Sequence, residues 1–228
     1  MSYLTIESAT PRESVAVVAR DGVVAASREV DAGRSRTEEL LAAVDRVLGE
    51  AGVAPRDLDG IVVSSGPGRF TGLRVGLATA KGLALASGLP LFAAPTLRAL
   101  ALAARAGEAV VCPLLDARRG EVYGAVFEGA PPKRLTPDVA LSPGGFAEHA
   151  LREAGTRPVV LVGTGAIACR SELAGAMGDA AVFPEPMVAA PGPASLLAAA
   201  DLSSPVDLAS FEPAYVRGVV APPPPTPR

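Results

Sequence analysis

The chain has 228 residues, of which 49% are hydrophobic and 20% charged, and its formal net charge at pH 7 is −3. This length allows one large domain or two modest ones. The negative net charge argues against a protein that binds nucleic acid through a basic surface extending over the whole chain. The longest apolar stretch, 83–106, contains Pro90, Pro95 and Arg98, so it does not predict a membrane span. The N-terminus lacks a basic start and a long apolar run, so we expect no signal peptide and a cytoplasmic protein.

The first half of the chain predicts three strands and then an alternation of helices and strands. The Asp21-Gly22 pair marks a hairpin turn. Gly52 and Pro55 mark the end of the first helix. The predicted elements are strands at 3–9, 13–22 and 22–30, a helix at 36–51, a strand at 57–66, a helix at 71–88 and a strand at 90–96.

Strands that first pair as hairpins and then alternate with helices indicate a mixed sheet flanked by helices. This is the order of the ribonuclease-H-like unit, and the second half echoes it with a hairpin at 110–129, an amphipathic helix at 144–155 and a buried strand at 158–166. We therefore predict an α/β protein with the actin-like ATPase (ASKHA) fold, in which two ribonuclease-H-like lobes carry mixed sheets flanked by helices. The predicted regions are an N-terminal lobe at 1–105, a C-terminal lobe at 106–218 and a disordered Pro-rich tail at 219–228.

Two acids, Glu7 and Asp116, stand at the ends of predicted strands. Actin-like kinases and ribonuclease-H-like nucleases place a metal-binding acid at the end of the first strand, so the pair could share a magnesium ion. Alternatively, Glu7 caps a turn around Thr10 and Asp116 opens the turn at 118–120. Both interpretations remain open from the sequence.

A glycine turn with Gly163 and Gly165 follows a buried strand and precedes a helix, as nucleotide-binding turns do. The pattern is short and has no P-loop lysine. The chain has one histidine, His149, which we predict on a helix surface because one histidine cannot supply a multi-histidine metal site. Cys112 and Cys169 are far apart in sequence and predict buried, reduced thiols.

The stretch SSGPGRFTGLRVGLATAKG at 64–82 is a glycine-rich turn that opens a helix. Such turns can cradle phosphate, but each glycine inside a helix costs about 0.5–1 kcal/mol relative to alanine, so packing must compensate. Small residues four apart predict a stripe against which another helix can lie closely. Arg74 and Lys81 lie along the neighbouring edge, either as a solvated rim or as charges flanking a protein interface. The stripe consists of Gly72, Gly76, Ala80 and Ala84.

Five segments together resemble the TsaB (YeaZ) family: 6–18, 66–84, 114–128, 162–166 and 213–217. The resemblance implies a two-lobed relative of TsaD, the enzyme that transfers the threonylcarbamoyl group to the tRNA adenosine beside the anticodon. TsaD-like proteins hold a metal through two histidines of their first helix. Arg36 and Leu40 stand at those two positions here, so the resemblance implies that the metal site is missing and argues against peptidase activity. Glu7 stands where many relatives carry aspartate.

The family resemblance further implies a non-catalytic scaffold that binds TsaD and, within that complex, recruits the ATPase TsaE. ATP and magnesium are then used by the complex, tRNA is contacted mainly through the partner, and the chain forms a homodimer when TsaD is absent. The family associates through its first two helices. The predicted interface residues, left undivided between core and partner contact, are Leu40, Leu41, Val44, Val47, Gly72, Leu73, Arg74, Gly76, Ala80 and Lys81.

Two enzymatic hypotheses compete with this one. The first is an actin-like enzyme that binds ATP and magnesium with Glu7, Asp116 and Gly163–Gly165 around the cleft. The second is a ribonuclease-H-like nuclease, which needs an acid at the end of the fourth strand. That position reads SSGPG and has no acid.

Overall fold

The computed structural model describes residues 1–31, 37–107 and 109–216, so Arg36 and the predicted tail at 219–228 lie outside the described residues. Within these described residues, the first half contains five strands and three α-helices. They are β1 (Ser2–Glu7), β2 (Arg12–Ala19), β3 (Val24–Asp31), α1 (Thr37–Ala51), β4 (Gly60–Ser64), α2 (Phe70–Ser87), β5 (Leu91–Ala94) and α3 (Thr96–Ala104), with a short 3-10 turn at Pro55–Asp57.

The first sheet has the strand order β3-β2-β1-β4-β5. The β1–β2 and β2–β3 pairs are antiparallel, whereas β4 runs parallel to β1 and to β5. The β2–β3 turn forms as predicted, because Asp21 Oδ1 accepts a hydrogen bond from the Val23 N–H at 3.1 Å and Gly22 takes a φ of 91°. Alternate residues of the central strand β1 serve two cores: Leu4 and Ile6 belong to the core with α1 and α2 residues, and Tyr3 to a core on the opposite face.

The second half builds the other sheet. Its elements are β6 (Val110–Arg118), β7 (Glu121–Gly124), β8 (Phe127–Glu128), β9 (Lys133–Arg134), β10 (Val139–Leu141), α4 (Pro143–Ala154), β11 (Val159–Val162), α5 (Thr164–Ala168), α6 (Arg170–Met177), β12 (Ala181–Val182) and α7 (Pro193–Ala199), with a 3-10 turn at Gly178–Ala180. The strand order is β10-β7-β6-β11-β12, with β8 paired to β6 and β9. Helix α4 begins at a side-chain cap, since Ser142 Oγ accepts from the Gly145 N–H at 3.2 Å.

After β12 the chain returns to the first sheet. Leu196 and Leu197 of α7 are buried in the core that contains Tyr3, and the Val206 N–H donates to the Leu91 carbonyl of β5 at 2.8 Å. The second sheet therefore lies within residues 110–182, and the last part of the predicted 106–218 lobe packs on the first sheet instead. The sequence could not show this return, because a pattern of apolar residues predicts that a helix is buried but not which core it joins.

The predicted fold class is confirmed: two mixed sheets with flanking helices form the actin-like architecture. The predicted hairpin at 110–129 is present as β6 and β7, although β7 ends at Gly124. The apolar stretch 83–106 contains the end of α2, then β5 and α3. Among the described residues, no helix is both long enough and apolar enough to span a membrane.

Candidate functional site

The predicted glycine stripe of α2 faces the chain's own strand β1. A Cβ placed on Gly72 would lie 2.1 Å from the Ser8 carbonyl oxygen, and one on Gly76 would lie 2.0 Å from Ser8 Oγ. Ala80 is also fully buried. The prediction that this stripe receives a partner helix is therefore wrong for these residues, because the end of β1 already fills the space that the missing side chains leave.

Four further residues of the predicted interface belong to the interior. Leu40, Val44 and Val47 of α1 lie in the core between the helices and the first sheet, and Leu73 of α2 is 1% exposed. They cannot contact a partner without unfolding of the layer that they build. Leu41 is different, because it points outward from α1 and is 41% exposed.

Arg74 and Lys81, the two predicted flanking charges, hold the chain's own C-terminal segment. Arg74 Nε donates to the Tyr215 hydroxyl at 3.2 Å, and its guanidinium lies 4.1 Å from the centre of the Phe70 ring. Lys81 Nζ donates to the Phe211 carbonyl oxygen at 2.7 Å. Helical spacing predicted that the two charges lie along one edge of α2. It could not predict their hydrogen-bond partners, which are more than a hundred residues away in sequence.

The solvent-facing side of α2 carries a second set of small residues that the sequence analysis did not single out. Ala78, Gly82 and Ala86 are exposed and follow one another at four-residue intervals. A Cβ on Gly82 would meet nothing within 4 Å. Leu85, beside them, is 78% exposed. We call these four residues the α2 outer face. The sequence pattern that could have identified it is a series of small residues four apart with a leucine beside its last member.

Glu7 is buried at the end of β1 and is engaged with its own turn. Its Oε1 accepts a hydrogen bond from the Thr10 N–H at 2.8 Å, as the capping interpretation predicted. Its Oε2 is buried without a hydrogen-bond partner among the described residues. Burial, partly opposed by hydrogen bonds from Thr10, Ser64 and Ala9, raises the pKa of Glu7 from 4.5 to about 7. A carboxyl that readily stays protonated is a poor ligand for a magnesium ion.

Asp116 lies in the second sheet and also serves its own turn. Its Oδ1 accepts from the Arg118 N–H at 2.8 Å, and its Oδ2 lies 3.5 Å from Arg118 Nη1. The Asp116 N–H donates to Thr164 Oγ1 at 3.2 Å, which brings Asp116 beside the predicted glycine turn. Glu7 and Asp116 thus have separate local partners. Across residues 1–31, 37–107 and 109–216, no cluster of three or more His, Cys, Asp or Glu side chains is arranged to hold a metal ion.

The glycine turn is used for packing between β6 and β11. A Cβ on Gly163, whose φ is 99°, would lie 2.1 Å from the Leu114 carbonyl oxygen, and Gly165 packs against the same part of β6. The Gly163 N–H donates to the Val188 carbonyl at 2.7 Å. The Gly163 N–H is therefore already hydrogen-bonded, and the turn is already covered by β6. The turn does not fit the nucleotide and magnesium that the actin-like fold implies.

Beneath α2 lies a buried acid, Glu13, that no sequence pattern singled out. The Glu13 side chain is 0% exposed, and its Oε1 lies 3.3 Å from Nη1 of Arg69, the residue that precedes α2. His149 lies on a helix, α4, as predicted, but it is not on the helix surface: it is half-buried, with its Nε2 atom buried and its ring 6.1 Å from that of Phe146. Neither residue forms part of a recognisable catalytic group.

The two-lobed actin-like fold places the chain in the class to which TsaD belongs. The family model for TsaD, tRNA N6-adenosine threonylcarbamoyltransferase, matches residues 30–208. The tRNA threonylcarbamoyladenosine biosynthesis protein TsaB of Escherichia coli (strain K12) is 38% identical over 130 residues, which are 56% of this chain and 55% of that protein. Its Bacillus subtilis (strain 168) counterpart is 33% identical over 128 residues, 56% of each chain.

The solved structure of YeaZ from Pseudomonas aeruginosa is similar over nearly the whole molecule. It has a TM-score of 0.75 at 26% identity and covers 94% of this chain and 99% of the YeaZ chain. The aligned sequence spans a little over half the length of the two curated TsaB relatives. The chain belongs to the TsaB (YeaZ) family, within the wider group that the TsaD family model describes.

Proposed function

We propose that the chain is a non-catalytic subunit in tRNA threonylcarbamoyladenosine biosynthesis and that it binds TsaD. The names of its TsaB relatives support a role in this modification. The separate, local engagement of Glu7 and Asp116 supports the absence of a catalytic centre of its own. In this proposal TsaD performs the transfer and contacts tRNA, and TsaE joins through the complex with its ATP and magnesium.

The observation that carries the proposal is the α2 outer face. Leu85 exposes 78% of its surface, compared with 47% for Phe70, the other exposed large hydrophobic residue of α2. Small residues at Ala78, Gly82 and Ala86 let a second helix approach closely, and covering an exposed leucine is favourable by about 1.5–3 kcal/mol. Leu41 of α1, 41% exposed, is a further apolar residue on the first two helices. The proposed contact thus keeps the two helices of the sequence prediction but uses their outward residues.

The same face accounts for the proposed homodimer. An apolar strip on one copy can pair with the same strip on a second copy about a two-fold axis. TsaD then competes with the second copy, so the homodimer forms when TsaD is absent. We place this assembly in the cytoplasm, where the tRNA substrate is modified.

The test is a binding measurement with TsaD from the same organism. The unsubstituted chain should co-elute with TsaD on a sizing column at micromolar concentrations, and Leu85→Asp should weaken binding at least about tenfold because it leaves a charge in an apolar contact. Val23→Asp is the matched control, since Val23 is 62% exposed in the β2–β3 turn, where the neighbouring Gly22 approaches Ala194 of α7 and not α2. Absence of co-elution for the unsubstituted chain overturns the proposal, and equal binding by both variants overturns the assigned face.

A second measurement separates the proposed role from the ATP-binding enzyme. Calorimetry with Mg-ATP on the isolated chain should give no heat of binding, and the chain alone should not hydrolyse ATP. Tight binding accompanied by hydrolysis would favour the enzyme hypothesis instead.

A further inference from the structure

The segment 206–216 runs from the edge of the first sheet to the beginning of α2; we call it the clasp. At one end the Val206 N–H donates to the Leu91 carbonyl, and towards the other the Ala214 N–H donates to the Ser65 carbonyl, both at 2.8 Å. Its path is therefore fixed by main-chain hydrogen bonds at two separate points of the first sheet.

The turn before α2 is shaped to admit the clasp. Gly66 has a φ of 105°, and a Cβ at that position would lie 2.6 Å from the Ala214 carbonyl oxygen. Val206, Leu208 and Phe211 pack, partly buried, against the core that underlies α1 and α2. The clasp thus belongs to the N-terminal half of the structure, although it lies near the end of the described chain.

Side chains join the clasp directly to α2. Tyr215 receives the Arg74 Nε hydrogen bond at 3.2 Å, and its ring centre lies 5.5 Å from that of Phe70, the first residue of α2. The Arg74 guanidinium also lies over the Phe70 ring, 4.1 Å from the ring centre. Further along the helix, Lys81 bonds the Phe211 carbonyl oxygen. Three residues of α2, spread over about three turns, therefore contact one segment.

The first turn of α2 has a particular need for these contacts. Its N-cap residue is Arg69, which makes no side-chain hydrogen bond to the free N–H groups of that turn. A serine, threonine, aspartate or asparagine cap normally stabilises this position. Gly72 adds to the deficit, because glycine disfavours the helical conformation. Stabilisation of the turn must come from tertiary packing, and Tyr215 supplies it on the solvent side.

We propose that Tyr215 is a positioning residue, which through Phe70 and Arg74 holds the first turns of α2, and with them the α2 outer face, in the geometry that partner binding requires. The statement about α2 rests on the contacts above, whereas the statement about the partner rests on the proposed function. The two parts are therefore tested by different measurements.

The first measurement is amide hydrogen exchange on the full chain, read by mass spectrometry. Tyr215→Ala should accelerate exchange about five- to tenfold in the clasp and in residues 70–76, because the aromatic pair with Phe70 and the hydrogen bond from Arg74 are lost together. Exchange in the second sheet should not change. Phe183→Ala is the matched control, since it removes a half-buried ring that lies 4.7 Å from the Arg170 guanidinium in the second half. Unchanged exchange in residues 70–76 of Tyr215→Ala overturns the proposal.

The second measurement is TsaD affinity of the same variants. We expect Tyr215→Ala to bind more weakly and Phe183→Ala to bind normally. Weaker binding with unchanged exchange would show a direct partner contact, and faster exchange with unchanged binding would show that positioning does not matter; either result overturns the proposal. If the unsubstituted chain does not bind TsaD, the proposed function fails while the exchange result still decides the role of Tyr215.

Tyr215→Phe provides a milder variant if Tyr215→Ala does not fold. It keeps the ring against Phe70 and removes only the Arg74 hydrogen bond, so exchange should rise by a smaller factor in the same two segments. Exchange identical to that of the unsubstituted chain in both segments, together with a failure of Tyr215→Ala to fold, would assign Tyr215 to general stability and overturn its positioning role.

Discussion

Ser8 Oγ lies 2.0 Å from the point at which a Cβ of residue 76 would stand, so Gly76 and Ser8 are in direct contact across α2 and β1. The neighbouring Gly72 is placed in the same way over the Ser8 carbonyl oxygen. Two glycines thus let the helix rest on the end of the central strand, which is a closer approach than any other residue permits.

We expect Gly76→Ala to destabilise the protein by about 1–3 kcal/mol, because the added methyl group overpacks a rigid contact. Gly82→Ala, on the same helix, should instead stabilise it by about 0.5–1 kcal/mol, since its Cβ meets nothing and alanine favours the helix. Urea unfolding measures both. Combining Gly76→Ala with Ser8→Gly should recover most of the loss, and absence of this coupling would disprove the contact.

Gly76 also shows what the sequence can and cannot predict here. The four-residue spacing correctly predicts one small-residue side of α2, because helical periodicity is local. The spacing cannot show whether a helix or a strand packs on that side, because either neighbour requires small residues there. The Tyr215–Arg74 contact joins residues 141 positions apart, and no local pattern contains that information. Glu7 was identified for its position at a strand end, but its burial, and hence its chemistry, depends on the assembled fold.

The buried carboxyl of Glu7 should make stability depend on pH. Its pKa in the fold, about 7, exceeds the ordinary 4.5, so the folded state holds the proton more tightly than the unfolded state. The contribution is complete below pH 4.5 and is lost as the pH rises to about 7, with a total of about 3 kcal/mol. Glu7→Gln should flatten this fall in the free energy of unfolding.

The control for Glu7 is Glu148→Gln, which alters an exposed acid on α4. Urea titrations at a series of pH values should give the same slope for this variant as for the unsubstituted chain. If Glu7→Gln also retains the full slope between pH 4.5 and 7, another group causes the dependence.

The two cysteines should differ in their reaction with an alkylating reagent. Cys112 is 0% exposed in β6, and burial raises the pKa of its thiol strongly. Cys169 is partly exposed, and its thiol pKa is raised by desolvation and by the charges of Glu172 and Asp116. We expect slow labelling of Cys169 in the native protein and labelling of Cys112 only after unfolding, because the thiolate is the reactive form.

Peptide mass spectrometry after iodoacetamide treatment identifies which cysteine has reacted. A Cys169→Ser variant should take up no label without denaturant and one label with it. Rapid labelling of Cys112 in native conditions would mean that β6 opens locally far more often than its central place in the second sheet indicates.

Replacing only one partner of the Arg69–Glu13 ion pair should lower the free energy of unfolding. Glu13 is 0% exposed and Arg69 is about one-third exposed, so removing the arginine leaves a carboxylate in the interior beneath α2. Arg69→Met should destabilise the protein by about 1–3 kcal/mol, because it takes the guanidinium away from a buried carboxylate. Adding Glu13→Gln to Arg69→Met should restore part of this loss, because the remaining amide carries no charge. Chemical unfolding of the single and double variants measures the coupling, and strictly additive losses would show that the Arg69 charge does not stabilise Glu13.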